Sequence, residues 1–220
     1  MAWEPEMEFP NEDVSNPYNP MQMFEEDVVR FRETEAQVVR EVKARFEAEG
    51  AGNVRSPWWN PHSAIASLGS GWPWPVNEKP FRYRLEERVE WWPDIGNGMS
   101  ERVVDLIESI EPGVHRYLPI EVYNADGAFR ERRWHLNICN RLDTLAPKHS
   151  NIVVSKTGSY LIGNGAFQVS AWKHKIAGHA VWVEYLMGAG YCLISDEFYE
   201  AIRRHDLHGW DFRRHIAEIG

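Results

Sequence analysis

Histidine offers the most chemistry in this chain, with nine copies and two suggestive spacings. His205-x-x-His208 would bring two imidazoles together, with His215 further on, and His174 and His179 form a second pair. Zinc needs three or four such ligands at matched spacing. The chain contains no HExxH and no CxxC, and His205–His208 straddles a predicted helix end. Surface histidines are the simpler reading. A small metal-dependent hydrolase built on His174, His179, His205 or His208 stays open as an alternative.

The other routes to catalysis are weaker. Gly69-Ser70-Gly71 lacks the spacing and the strand–turn–helix context of a nucleophile elbow. Cys139 falls within a predicted strand, on the face opposite Trp134, Leu136 and Ile138, where packing accounts for it. Glu86 and Glu87 are adjacent on a predicted strand, so they point to opposite faces and cannot share a substrate. Gly163-Asn164-Gly165 and Gly188-Ala189-Gly190 precede no helix and complete no phosphate-binding motif, so they read as turns. No cofactor signature is present, and the chain reads as a non-enzyme.

Charge and aromatic content point to surfaces. Glu4, Glu6, Glu8, Glu12, Asp13, Glu25, Glu26 and Asp27 are the charged residues of the first 29, which hold no Lys or Arg. The rest of the chain has 25 acids against 24 bases, so this stretch holds nearly all of the net charge of −9. Phosphate backbones demand a basic face, which argues against nucleic acid as partner and admits a basic protein. Six of the 11 tryptophans lie between Trp58 and Trp92, and Trp58 and Trp59 are candidate interface anchors. The acids can equally serve as a solubilising tail, and the tryptophans as padding for a sheet.

The elements that must position these residues are legible from period and punctuation. Residues 1–20, with Asn16-Pro17 and Asn19-Pro20, read as an extended acidic arm ahead of a single domain over 21–220. Phe24, Val28, Phe31, Val38, Val42 and Phe46 predict a long helix over about 21–49, closed by Gly50-Ala51-Gly52. Proline-rich 53–80 predicts an ordered loop, followed by a strand from Phe81 to Trp92. Ser100 reads as the N-cap of a helix ended by Pro112-Gly113. A hairpin follows, with Leu118, Ile120 and Val122 on one arm and Trp134, Leu136 and Ile138 on the other. Pro119 predicts an edge or a bulge for its first arm. Short strands near 151–155, 159–162, 166–171, 180–185 and 190–194 lead to a helix capped by Ser195 or Asp196. A last extended segment runs from Trp210 to Ile219. The class is α+β with a mostly antiparallel sheet and a few flanking helices.

Two cysteines, no apolar span long enough for a bilayer and an acidic N-terminus without a leader pattern predict a cytoplasmic protein and no membrane partner. An adaptor that assembles through the long helix is a further alternative, although Glu35 interrupts its stripe.

Three stretches resemble the eleventh family of immunity proteins of bacterial polymorphic toxin systems, formerly a domain of unknown function. They are SERVVDLIESIEPGVHRYLPIEV from Ser100 to Val122, LNICNRLD from Leu136 to Asp143 with Ser150 following, and LISDEFYEAI from Leu193 to Ile202, continuing to Leu207–Phe212. The resemblance covers about residues 94–215. It implies a toxin inhibitor that acts by direct binding, often against a nuclease effector, and it brings no catalytic residues. If the effector is a nuclease, the acids could occupy its basic, phosphate-gripping surface.

Overall fold

The computed structural model describes residues 2–7, 21–48, 79–85, 94–95, 98–156, 160–163, 168–184, 186–187 and 192–220. The predicted Trp/Pro loop lies outside these residues apart from Lys79 and Pro80. So does the second half of the strand predicted to reach Trp92: β3 is described over Phe81–Leu85.

The chain runs β1 (Ala2–Met7), β2 (Met21–Met23), α1 (Glu25–Ala48), β3, α2 (Glu101–Ile110), β4 (Arg116–Tyr123), β5 (Phe129–Asn137) and β6 (Arg141–Leu142). After a 3-10 turn at Pro147–His149 come β7 (Ile152–Val154), β8 (Tyr160–Ile162), β9 (Ser170–Trp172) and a one-turn helix α3 (Lys173–Ile176). The chain finishes with β10 (Val181–Glu184), β11 (Cys192–Ser195), α4 (Asp196–Arg204) and β12 (Trp210–Ile219).

Among the described residues the strands form three sheets. A six-stranded sheet has the order β6-β10-β11-β1-β12-β9, a four-stranded one β2-β3-β4-β5, and β7-β8 stand as a pair. Pairing is antiparallel except at β3–β4, β6–β10 and β9–β12. The class is α+β.

The six-stranded sheet is buried on both faces, which explains why β10 is apolar at consecutive positions. Val181, Val183 and Ile194 face a core that holds Val103 and Ile107 of α2 and Phe198 and Ile202 of α4. Trp182 and Leu193 face the other way, onto Ala2, Leu145, Ala171, Ile176 and Ile216. α4 begins where the sequence predicts, with the Ser195 hydroxyl accepting the Phe198 N–H. Ser100 occupies the N-cap position of α2, but its hydroxyl donates to Asp94 Oδ1 at 2.8 Å.

The first residues of the extended arm expected over 1–20 are part of the sheet. Residues Ala2–Met7, including the backbones of Glu4 and Glu6, form an inner strand between β11 and β12. Ala2 is fully buried, and its small side chain fits among Leu193 and Ile216. Pro5 is tolerated because the register shifts between Glu4 and Glu6 and β11 pairs only with Ala2 and Trp3. Residues 8–20 lie outside the described ones.

Further expectations shift. Met21–Met23, predicted to open the helix, pair with β3 as a strand, and α1 starts at Glu25. β4 is an inner strand, yet β3 pairs with it only from Ile120 onward, so Pro119 sits before that ladder begins. The hairpin register sets Leu118 opposite His135 and Ile120 opposite Arg133, which leaves Trp134 and Leu136 on the other face. Both faces are used. Arg133 is buried, donates to the Gly98 carbonyl at 2.9 Å, and Ile120 packs so close that a Cβ on Gly98 would meet it at 2.6 Å. Cys139 lies beyond β5, which ends at Asn137.

Deleting residues 1–7 should abolish cooperative unfolding of the protein, read by urea titration with circular dichroism. A free arm would leave the midpoint unchanged.

Candidate functional site

Of the acids proposed from sequence as a partner surface, the structure describes the side chains of Glu25, Glu26 and Asp27. Glu8, Glu12, Asp13, Trp58 and Trp59 fall outside the described residues, and Glu4 and Glu6 belong to β1. Glu25, Glu26 and Asp27 form the first turn of α1, where the helix dipole favours carboxylates. Asp27 is not a surface group: its side chain is 2 % exposed. Its Oδ2 accepts the Arg82 N–H at 3.1 Å and Arg82 Nε at 2.8 Å, and Oδ1 accepts Arg30 Nη2 at 2.8 Å. Arg30 continues to the carbonyls of Lys79 and Pro80 and stacks over Phe81, 4.4 Å from its centroid. Asp27 therefore pins α1 to β3.

Glu26 also pairs with Arg82, while Glu25 is exposed. Hydrogen bonds donated to Glu26 and Asp27 raise the Arg82 pKa above its ordinary value. Arg82 and Arg84 lie 5.1 and 5.5 Å from the Phe24 ring, which meets Tyr123 edge-on. An open groove of about 530 Å³ runs along this corner, lined by Gln22, Met23, Phe24, Glu25, Glu26 and Arg84.

The densest polar cluster was not visible in the sequence. Glu111, the residue that ends α2, is 4 % exposed and binds four partners. Oε2 accepts from His115 Nε2 at 3.0 Å and from the Ala180 N–H at 2.9 Å. Oε1 accepts from His179 Nδ1 at 2.6 Å and from the Asn140 amide. Desolvation opposes the charge on Glu111, but the bonds from His115, His179, Ala180 and Asn140 outweigh it and hold its pKa at about 2. His115 Nδ1 in turn accepts the Cys139 N–H at 3.3 Å. Burial pushes the Cys139 thiol up, which makes it a poor nucleophile.

The histidine pairs drawn from sequence separate. His179 joins Glu111, whereas His174 lies against the Trp172 ring, centroids 6.0 Å apart. The His205 carbonyl accepts from Arg102, His208 Nε2 stands 3.4 Å from Asp206, and His215 is exposed. Among the described residues no group of three His, Cys, Asp or Glu side chains is placed to hold a metal ion. Glu111, with four donors already bound, has no free site from which to take a proton from a substrate.

A second buried carboxylate behaves oppositely. Glu184 is fully buried and accepts from the Thr144 N–H at 3.0 Å and from its hydroxyl at 2.6 Å. Trp182 Nε1 donates to the same hydroxyl at 3.2 Å. Burial pushes the Glu184 pKa up to about 7, because two bonds from one threonine do not offset desolvation.

Asp27, Glu111 and Glu184 each join separate elements of the fold. Comparison with known families then decides what the fold is for: the pattern of the immunity protein family Imm11 matches residues 57–216. The chain belongs to the Imm11 family. The matched region is wider than the 94–215 suggested by the three motifs, and it takes in the Trp/Pro segment from residue 57. β1, β2 and α1 lie outside the match, although β1 is an inner strand. No curated protein matches this Imm11 chain. Among the described residues, no helix is long and apolar enough to cross a membrane.

The two carboxylates give opposite pH signatures. Glu111 has a depressed pKa, so its stabilisation is full above about pH 4.5 and lost as pH falls towards 2. Glu111→Ala should cost about 3 kcal/mol at pH 7, by stranding buried partners, with the gap to wild type closing in acid. Glu184 has a raised pKa, so its contribution falls as pH rises from about 4.5 through 7, by on the order of 3 kcal/mol. Glu184→Gln should flatten that slope in chemical denaturation between pH 5 and 8. An unchanged slope would show that Glu184 is ionised throughout.

Proposed function

We propose that this Imm11 protein neutralises a cognate bacterial toxin by binding it directly in the cytoplasm, without catalysis. The family match over residues 57–216 carries the reading. It is supported by the state of the titratable groups: Asp27, Glu111 and Glu184 are buried and bonded, and Cys139 has a raised pKa. What such a protein offers a partner is surface.

The acids left for a partner are Glu25 and, in part, Glu26, together with Glu8, Glu12 and Asp13 from the stretch before β2. They would steer and cover a basic surface, as a phosphate-gripping nuclease toxin would present. Trp58 and Trp59 are the candidate apolar anchors.

Co-expression with the toxin domain encoded beside the gene should restore growth, and the two chains should co-elute. Continued killing with no complex would end this reading. Removing residues 1–20 is the wrong probe, since it takes out β1. Glu25→Lys with Glu8→Gln, Glu12→Gln and Asp13→Asn should weaken the complex about tenfold and reduce its salt dependence. Unchanged affinity and salt slope would remove the acids from the interface.

A further inference from the structure

Between Asp143 and Glu184 the chain has no acidic residue, yet it holds Lys148, Lys156, Lys173 and Lys175 with His149, His174 and His179. In a protein of net charge −9 this stretch is an exception, and the fold gathers much of it on one side. The 3-10 turn and α3 converge on Trp172, whose ring stands 5.7 Å from His149 and 6.0 Å from His174. Lys148, Lys173 and both of these histidines are exposed. Lys175 is turned back onto Asp143, donating to its carbonyl at 2.6 Å.

The same turn packs beside β7, so the cationic corner continues into the β7–β8 hairpin. Seven large apolar side chains are exposed among the described residues, and four of them are here: Val153 at 56 %, Val154 at 53 %, Leu161 at 41 % and Ile162 at 38 %. Val153 and Leu161 are directly paired and share a face. Clustered exposed aliphatics of this kind mark interaction sites.

The corner is also built rigidly. Ser150 Oγ donates to the Ala146 carbonyl at 2.8 Å and accepts the Ser170 N–H at 2.9 Å, while Ser170 Oγ donates to the His149 carbonyl at 2.9 Å. A preordered turn loses little entropy on binding.

We infer that the β7–β8 hairpin and the Trp172 corner form a second surface that grips the toxin, and that there the toxin presents an apolar patch rimmed by carboxylates. The inference rests on the direct-binding reading above and deepens it. Aliphatic side chains bordered by lysines and a tryptophan reproduce the apolar centre and polar rim of protein interfaces. Charge fixes the sign of the partner: exposed Lys148 and Lys173 attract an acidic rim, while the nearby Asp143 is paired with Lys175. Nucleic acid is the other polyanion, but the net charge of −9 opposes phosphate. This face has the opposite sign to the Glu25 corner, so charge reversal separates the two.

The test uses the full-length protein and a catalytically disarmed form of the neighbouring toxin domain, titrated at low and high salt. Lys148→Glu with Lys173→Glu should weaken binding at least tenfold, with the loss shrinking as salt rises. Val153→Ser with Leu161→Ser should weaken it about tenfold at any salt. Wild-type binding with both variants within twofold would overturn this surface and leave direct binding standing. No binding by the wild type would sink both. Hydrogen exchange on the wild-type complex gives a second reading that needs no variant: residues 148–154 and 160–162 should gain protection, and unchanged exchange there overturns the inference. Binding of a single-stranded oligonucleotide at this face, in place of the toxin, would do the same.

Discussion

A single buried carboxylate ties the architecture together. Glu111 stands where α2 ends, and its two oxygens reach His115 at the approach to β4, Asn140 after β5, and His179 and Ala180 ahead of β10. Three parts of the chain, 111–115, 140 and 179–180, thus meet at one charge. A buried ion is costly unless its bonds are complete. Here they are complete, and the segments can meet at this charge in few other ways. The apolar core against α2 and α4, and the faces of β10 and β11, form around that junction.

The same economy runs through the other polar groups. Asp27 fastens α1 to β3 through Arg82 and Arg30, and Glu184 is capped by Thr144. Groups that composition offers for chemistry are used to join elements. This use of buried carboxylates stands beside membership of an immunity family. The outside is not uniform. Acid collects at the first turn of α1, and base with exposed aliphatics collects around Trp172 and the β7–β8 hairpin.

Local order was legible because local order has local causes. Alternation located β4 and β5, short runs between glycine-rich turns located β7 to β11, Ser195 or Asp196 announced α4, and the three-four spacing with Ser100 announced α2. The misses share one cause. β1 looked like an arm because its proline and acids suit one, and nothing in six residues says that β11 and β12 stand ready on both sides. Met21–Met23 continued the helical stripe until β3 claimed it. His174 and His179 looked like a pair on sequence distance, yet one lies against Trp172 and the other bonds Glu111, 68 residues away.

The sequence by itself determined the class, most element boundaries, the lack of any catalytic motif and the family. Its acid-free run from residue 144 to 183 was also plain to read, although its meaning was not. Tertiary structure alone decided which acids are free, which are consumed, and which exposed side chains become neighbours. Periodicity and capping act over a few residues, where the chain dictates its own contacts. Ion pairs such as Asp27–Arg82 and Glu111–His179 depend on strands pairing across the fold, and no short-range pattern encodes them.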